Sequence, residues 1–147
     1  ESRLELDRWT INGVKLLRSS VGASEGRFGL CVVVESPTGY PGLFLSRSVQ
    51  DWSRWRRICM DVEAPTNSPL GLWIRVDDHP DNPPYLERFQ KHFQLEAGFQ
   101  TLCLDLASLR TENGRPLNLR EIHAFGFFFD GTKAGDVLYI DYLRGEN

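Results

Sequence analysis

Apolar residues in this chain recur at every second position in short runs, and no stretch of useful length carries an apolar stripe at the helical period. A period of two turns one side of a strand to a core and the other to water, so half-buried strands are expected in place of helices. The runs are Val14 to Arg18, Phe28 to Glu35, Leu43 to Arg47, Arg57 to Ala64, Leu70 to Asp77, Phe89 to Leu95, Gln100 to Leu106, Ala124 to Asp130 and Val137 to Leu143. Between them lie the turn sequences PTGYPG, APTNSP, HPDNPP, ENGRP and GTKAGD, rich in residues that adopt tight or left-handed backbone. Many short strands with turns between them predict an all-β, two-sheet antiparallel sandwich. Asn118 to Ile122 could form one helical turn.

Alternation also assigns faces. Ile58, Met60 and Val62 point one way, as do Leu72, Ile74 and Val76, then Phe89, Phe93 and Leu95, then Leu102, Leu104 and Leu106, and then Phe125, Phe127 and Phe129. These residues are the predicted core. Lys91 interrupts the apolar set of its run, which implies an edge strand or a bulge. The opposite side carries Arg57, Asp61 and Glu63, then Trp73, Arg75 and Asp77, then Arg88, Gln90, His92 and Gln94, then Asp105, and then Phe128 and Asp130. Trp52 and Trp55 are expected to plug one end of the sandwich.

A length of 147 residues supports one core, so residues 1–147 read as a single domain. The net charge of −3 argues against nucleic acid, because polyanion binding needs a concentrated field of Lys and Arg. No apolar run approaches the roughly 20 residues that cross a bilayer, and the chain opens on polar ESRLELDRW, so a soluble segment without membrane insertion is expected. A first residue that is Glu points to a processed chain or a part of a larger protein. Cys31, Cys59 and Cys103 lie in separate strand runs without zinc spacing and read as ordinary strand residues, with one long-range disulfide conceivable but not favoured.

Trp73 and Phe128 are notable because they fall among charges on the outward side. Aromatic rings stack on the C–H faces of sugars while carboxylates, amides and guanidinium groups bond the hydroxyls, so such a mixed face suits carbohydrate. The candidate ligand-binding residues are Trp73, Arg75, Asp77, Asp78, Arg88, His92, Phe128 and Asp130, with Tyr40 and Tyr85 at the rim. Each has a plainer reading beside the functional one. Trp73 could be capped by a loop or by the stem of Arg75, Tyr40 could only pack its turn, and Arg88 with Asp77 could form a salt bridge that fixes a hairpin.

The segment IRVDDHPDNPPYLERFQKHFQL, with DWSRWRRICMDVEAP before it and AGFQTLCLDLASL and VLYIDYLRG after it, resembles a bacterial galactose-binding-like jelly-roll domain. Such domains are similar to carbohydrate-binding modules, and one version is appended to VanZ-like membrane proteins. The resemblance covers nearly the whole chain, and its D-D, Y and R-F positions fall on Asp77, Asp78, Tyr85, Arg88 and Phe89. It implies a non-catalytic module that recognises a poly- or oligosaccharide, in an extracytoplasmic or cell-envelope setting. Related sugar-binding sandwiches hold a structural calcium near the chain ends, which implies Glu5, Asp7, Glu25 and Asp141 as oxygen ligands, although no compact D-x-D-x-D-G run is present.

Two further functions follow from the same residues. A jelly roll of this kind can serve as a protein-interaction or assembly domain, for which a flat apolar patch would speak. A glycan-active enzyme could use Asp77, Asp78 and Asp130 if they converged. The chain lacks G-x-S-x-G, P-loop, H-E-x-x-H and dinucleotide motifs, and His79, His92 and His123 show no metal spacing.

Overall fold

The computed structural model describes residues 9–26, 28–46, 49–65 and 70–147. Ten strands are formed, namely β1 (Thr10–Asn12), β2 (Val14–Ser19), β3 (Gly29–Val34), β4 (Gly42–Leu45), β5 (Arg57–Ala64), β6 (Leu70–Asp77), β7 (Phe89–Leu95), β8 (Gly98–Asp105), β9 (Ala124–Asp130) and β10 (Val137–Glu146). They make two five-stranded antiparallel sheets, one in the order β1-β4-β9-β6-β7 and the other in the order β2-β3-β10-β5-β8. The alternation predicted nine strands at nearly these bounds. It missed β1, a three-residue edge strand too short to show a period.

The predicted core faces do meet between the sheets. Leu72 and Val76 are fully buried, Leu104 is 2% exposed and Phe127 is 1% exposed, and they join one apolar cluster with Leu30, Val32, Leu43 and Leu138. Trp52 closes one end of this cluster, with its indole N–H donating to Gln50 Oε1 at 3.0 Å and its ring edge-on to Phe125. Phe93 is only half-buried. It lies on β7, an edge strand, where Lys91 turns its ammonium out over the Phe93 ring, 5.0 Å from the centroid. The edge explains the Lys without a shift of parity, since β6 and β7 stay in unbroken register from Leu70↔Leu95 to Val76↔Phe89.

Three expectations change. Residues 118–122 form a turn closed by the Glu121 N–H on the Asn118 carbonyl and not a helical segment, while short 3-10 turns occur at Tyr85–Glu87 and Leu106–Ser108. Arg47, the expected end of its strand, lies outside the described residues. Cys59 and Cys103 are joined by a disulfide. Their separation of 44 residues concealed the pairing, but the β5–β8 register sets them directly opposite one another with Cα atoms 4.1 Å apart. Cys31 remains a buried free thiol, and burial pushes its pKa up.

The outer faces of the two sheets differ. On the β5–β10 sheet, Asp61 and Asp141 lie side by side, and both grip the 20–26 loop that crosses them: Ser24 Oγ donates to Asp61 Oδ2 at 2.6 Å, and the N–H groups of Ser24 and Glu25 donate to Asp141 Oδ2. Asp61 and Asp141 are thereby buried on an outward face. Among the described residues no such loop is fastened across the outer face of the β6–β9 sheet. Truncation of Leu104 to Ala is expected to cost about 2–5 kcal/mol in denaturant unfolding; a loss below about 0.5 kcal/mol would mean that its side chain is not core.

Candidate functional site

Antiparallel register lays the outward residues of the β6–β9 sheet in rows. Trp73 stands between Phe128 on β9 and His92 on β7, Arg75 between Gly126 and Gln90, and Gly71 between Asp130 and Gln94. On the far side of β9, Gly42 faces Phe128 and Phe44 faces Gly126. The result is a groove of about 490 Å³ whose aromatic lining is Tyr40, Phe44, Trp73, Tyr85 and Phe128 and whose polar lining is Arg75, Arg88, Gln90 and Asp130.

The aromatic residues form a band across three strands. Trp73 and Phe128 are nearly parallel at 9° with centroids 6.0 Å apart, and Phe128 continues to Phe44 at 6.5 Å. Gly126 makes room for this, because a Cβ there would come 2.3 Å from the Phe44 ring. Tyr40 meets Phe128 edge-on at 5.7 Å while staying 70% exposed. It holds a left-handed φ of 58°, a conformation that costs a bulky residue about 1–3 kcal/mol and therefore needs support from its surroundings. Asn12 Nδ2, which donates to the Gly39 carbonyl at 3.0 Å, ties that loop to β1.

Polar groups flank the band on both ends. At one end, Trp73 Nε1 donates to Asp130 Oδ2 at 3.3 Å, and His92 Nε2 lies 3.2 Å from Asp130 Oδ1. Gly71 admits this carboxylate, since a Cβ there would overlap Asp130 Oδ1. At the other end, Arg75 grips the buried Asp77 with Nε and Nη2 at 2.9 and 2.7 Å, and its guanidinium lies 5.5 Å from the Phe44 ring centroid. Arg88 donates from Nε to the Pro83 carbonyl at 2.7 Å. Asn82, in left-handed backbone at φ 51°, presents Oδ1 to Arg75 Nη2 at 3.0 Å and to Arg88 Nη2 at 3.2 Å.

The structure thus brings Tyr40, Trp73, Arg75, Tyr85, Arg88, Phe128 and Asp130 together on one groove, with His92 behind Trp73 and Asp77 beneath Arg75. Two readings need correction. The hairpin is not fixed by an Arg88–Asp77 pair, because Asp77 is taken by Arg75 two residues before it on the same face. Asp78 is turned away from the groove: one residue on from Asp77, its carboxylate receives Arg115 Nη1 and Nη2 at 2.8 and 2.9 Å and the Asn118 N–H at 2.7 Å. Phe44, Gln90 and Asn82 were missed as site residues. Parity counted from Leu43 would have found Phe44, but nothing local announces Asn82.

Carboxylate geometry also bears on catalysis. Asp77 sits opposite Ala124 and Asp130 opposite Gly71, so they stand six residues apart along paired strands, about 20 Å. Glycosidase carboxylates act at roughly 5–9.5 Å. Asp78 is ion-paired to Arg115. Burial would raise its pKa, but the hydrogen bonds from Arg115 and the Asn118 N–H outweigh it and hold the carboxyl below the usual Asp range.

Of the residues considered for calcium, Glu5 and Asp7 lie outside the described residues, Glu25 is exposed and contributes a backbone N–H, and Asp141 accepts two such groups. The neighbouring Asp61 faces Arg144 Nη1 at 3.2 Å, a positive charge already in place. Among the described residues no three acidic, His or Cys side chains form a metal cage. A second cavity of about 550 Å³ at the Trp52 end is a poorer sugar site. Gly145 packs closely on the Trp55 ring there, and the Arg54 guanidinium lies 5.0 Å from the ring centroid.

No protein-family model matches the sequence, and no curated protein is similar to it at a significant level. Solved structures do share its architecture. An exo-beta-agarase superposes with a TM-score of 0.73 at 15% identity, over 94% of this chain and 22% of its own. A family 11 carbohydrate-binding module from Clostridium thermocellum, in complex with a beta-1,3-1,4-mixed-linked tetrasaccharide, superposes at 0.67 and 19% identity over 99% of this chain and 94% of its own. A carbohydrate-binding module specific for non-crystalline cellulose does so at 0.64 and 14% over 97% and 88%. The fold is their jelly roll. This chain spans about a fifth of the agarase but nearly the full length of both modules.

Two measurements test the supporting structure. Replacing Asp78 by Asn is expected to cost roughly 3 kcal/mol at pH 7, because it weakens a buried, hydrogen-bonded ion pair. Since the folded carboxyl titrates below the unfolded one, its stabilisation is present above about pH 3.9 and lost as pH falls through the folded value, so the wild-type advantage should shrink in acid. If a structural calcium binds as the resemblance implies, melting should be higher in millimolar calcium than in EDTA; identical melting would remove the calcium reading.

Proposed function

We propose that this domain is a non-catalytic carbohydrate-binding module that holds a poly- or oligosaccharide in the groove across β4, β9, β6 and β7. The observation that carries the reading is the continuous band Phe44–Phe128–Trp73, with Tyr40 and Tyr85 exposed at its rim and hydrogen-bonding groups at both ends. Rings offer sugars a flat apolar contact, and fixed donors and acceptors orient the hydroxyls. The likeness to modules of the same length supports the reading, and the separation of Asp77 from Asp130 supports a binding role over a hydrolytic one.

The groove also argues against a flat docking face for a protein, because its aromatic residues line a concavity interrupted by Arg75, Arg88 and Asp130. The Cys59–Cys103 disulfide supports an extracytoplasmic setting, where such bonds persist, in keeping with a module appended to a larger envelope protein.

Screening the domain on a glycan array and titrating the best ligand against Trp73→Ala tests the proposal. The variant is expected to lose at least about tenfold in affinity, equivalent to about 1.4 kcal/mol. Its stability should fall by only about 1 kcal/mol, because the half-buried ring gives up its contact with Phe128 but no core position. A folded variant that binds as well as wild type would remove the anchor of the site.

A further inference from the structure

We infer that the groove selects an acidic glycan, and that Arg75 and Arg88 read a carboxylate or sulfate substituent while the neutral part of the sugar rests on Trp73 and Phe128. The inference rests on the carbohydrate-binding reading and adds the chemical class of the ligand.

Charge in the groove is unevenly distributed. At the acidic end each oxygen of Asp130 already has one partner, Trp73 Nε1 at 3.3 Å and His92 Nε2 at 3.2 Å. At the other end two guanidinium groups converge on one neutral oxygen, Asn82 Oδ1, at 3.0 and 3.2 Å. A single carboxylate, Asp77, serves that pair, and it is buried beneath Arg75 in a two-bond contact. Among the described residues no carboxylate pairs with Arg88, and its Nη1, like that of Arg75, makes no hydrogen bond.

Such an arrangement is costly without a ligand. Partial burial and then the neighbouring Arg75 charge lower the Arg88 pKa, with Asp77 acting in the opposite direction, and the group stays charged. An anion bound beside the two guanidinium groups would relieve the repulsion through charge-assisted hydrogen bonds. Arg75 lies two residues from Trp73, about 7 Å along the same face of β6, a span that one sugar and its substituent can cover. The effect is local. With a net charge of −3 the molecule has no general field for polyanions, so a bare polyanion lacking a sugar ring should not bind.

The test is calorimetric titration of the intact domain with four polymers: polygalacturonate for carboxylate, κ-carrageenan for sulfate, neutral mixed-linked β-glucan, and poly-glutamate as an acidic polymer that is not a sugar. At low salt one acidic glycan is expected to bind at least about tenfold more tightly than the neutral one. The tighter of the two identifies the substituent. The ratio should fall in 0.5 M NaCl and approach one in Arg88→Gln, with the melting temperature read in parallel; the salt dependence of the wild type decides the matter if that variant misfolds. Neutral glucan bound as tightly as both acidic glycans, or an acidic preference untouched by salt and by Arg88→Gln, would overturn the inference and leave the carbohydrate-binding reading standing. Poly-glutamate binding as tightly as the glycans would also overturn it. Binding to none of the glycans would end both.

Discussion

Each residue of β6 belongs either to the core or to the groove, and the two sets cannot be changed independently. Leu70, Leu72, Ile74 and Val76 are packed against the second sheet, which obliges Gly71, Trp73, Arg75 and Asp77 to project from the other side. A slip of one residue in pairing would place four apolar side chains in water and a charged pair between the sheets, so burial of the core holds the register tightly. That register in turn sets Trp73 beside Phe128 and His92 and Arg75 beside Gly126. The geometry of the groove is in this sense a by-product of packing.

The two outer faces take different roles. Across the β5–β10 sheet, the Cys59–Cys103 bond staples β5 to β8, and the Asp61–Ser24–Asp141 contacts fasten the 20–26 loop over the strands. That face is used for stability. Among the described residues the β6–β9 face has no such cover, and its glycines at 71 and 126 lower the floor so that a carboxylate and a ring can lie across the strands. Support for it comes from the ends: Arg115 and Asp78 bind the 106–122 segment to the end of β6, and Pro83 with Asn82 orients Arg88. Hydrogen bonds made outside the groove thus fix the donors inside it.

At 14–19% identity, the likeness to modules of the same length is a likeness of the sandwich fold. A jelly roll tolerates such divergence because its core asks only for alternating apolar residues of suitable volume, which many sequences supply. The outward positions are then free to change with the ligand, so the residues of this groove have to be read in this chain.

What the sequence determined by itself was the side of the strand on which each residue lies. Period-two alternation is a local property, and from it came nine strands, the core residues Leu104, Phe125 and Phe127, and the outward placement of Trp73, Arg75, Arg88 and Phe128. The break at Lys91 also marked a true edge strand. Partnership was decided only by the tertiary structure. That Cys59 meets Cys103, that Asp78 is held by Arg115, and that Phe44 joins the aromatic band all depend on how segments far apart in the chain are brought together. Those choices are made by burial summed over the whole sandwich, with residues far apart in the chain contributing together, and no local pattern carries that sum.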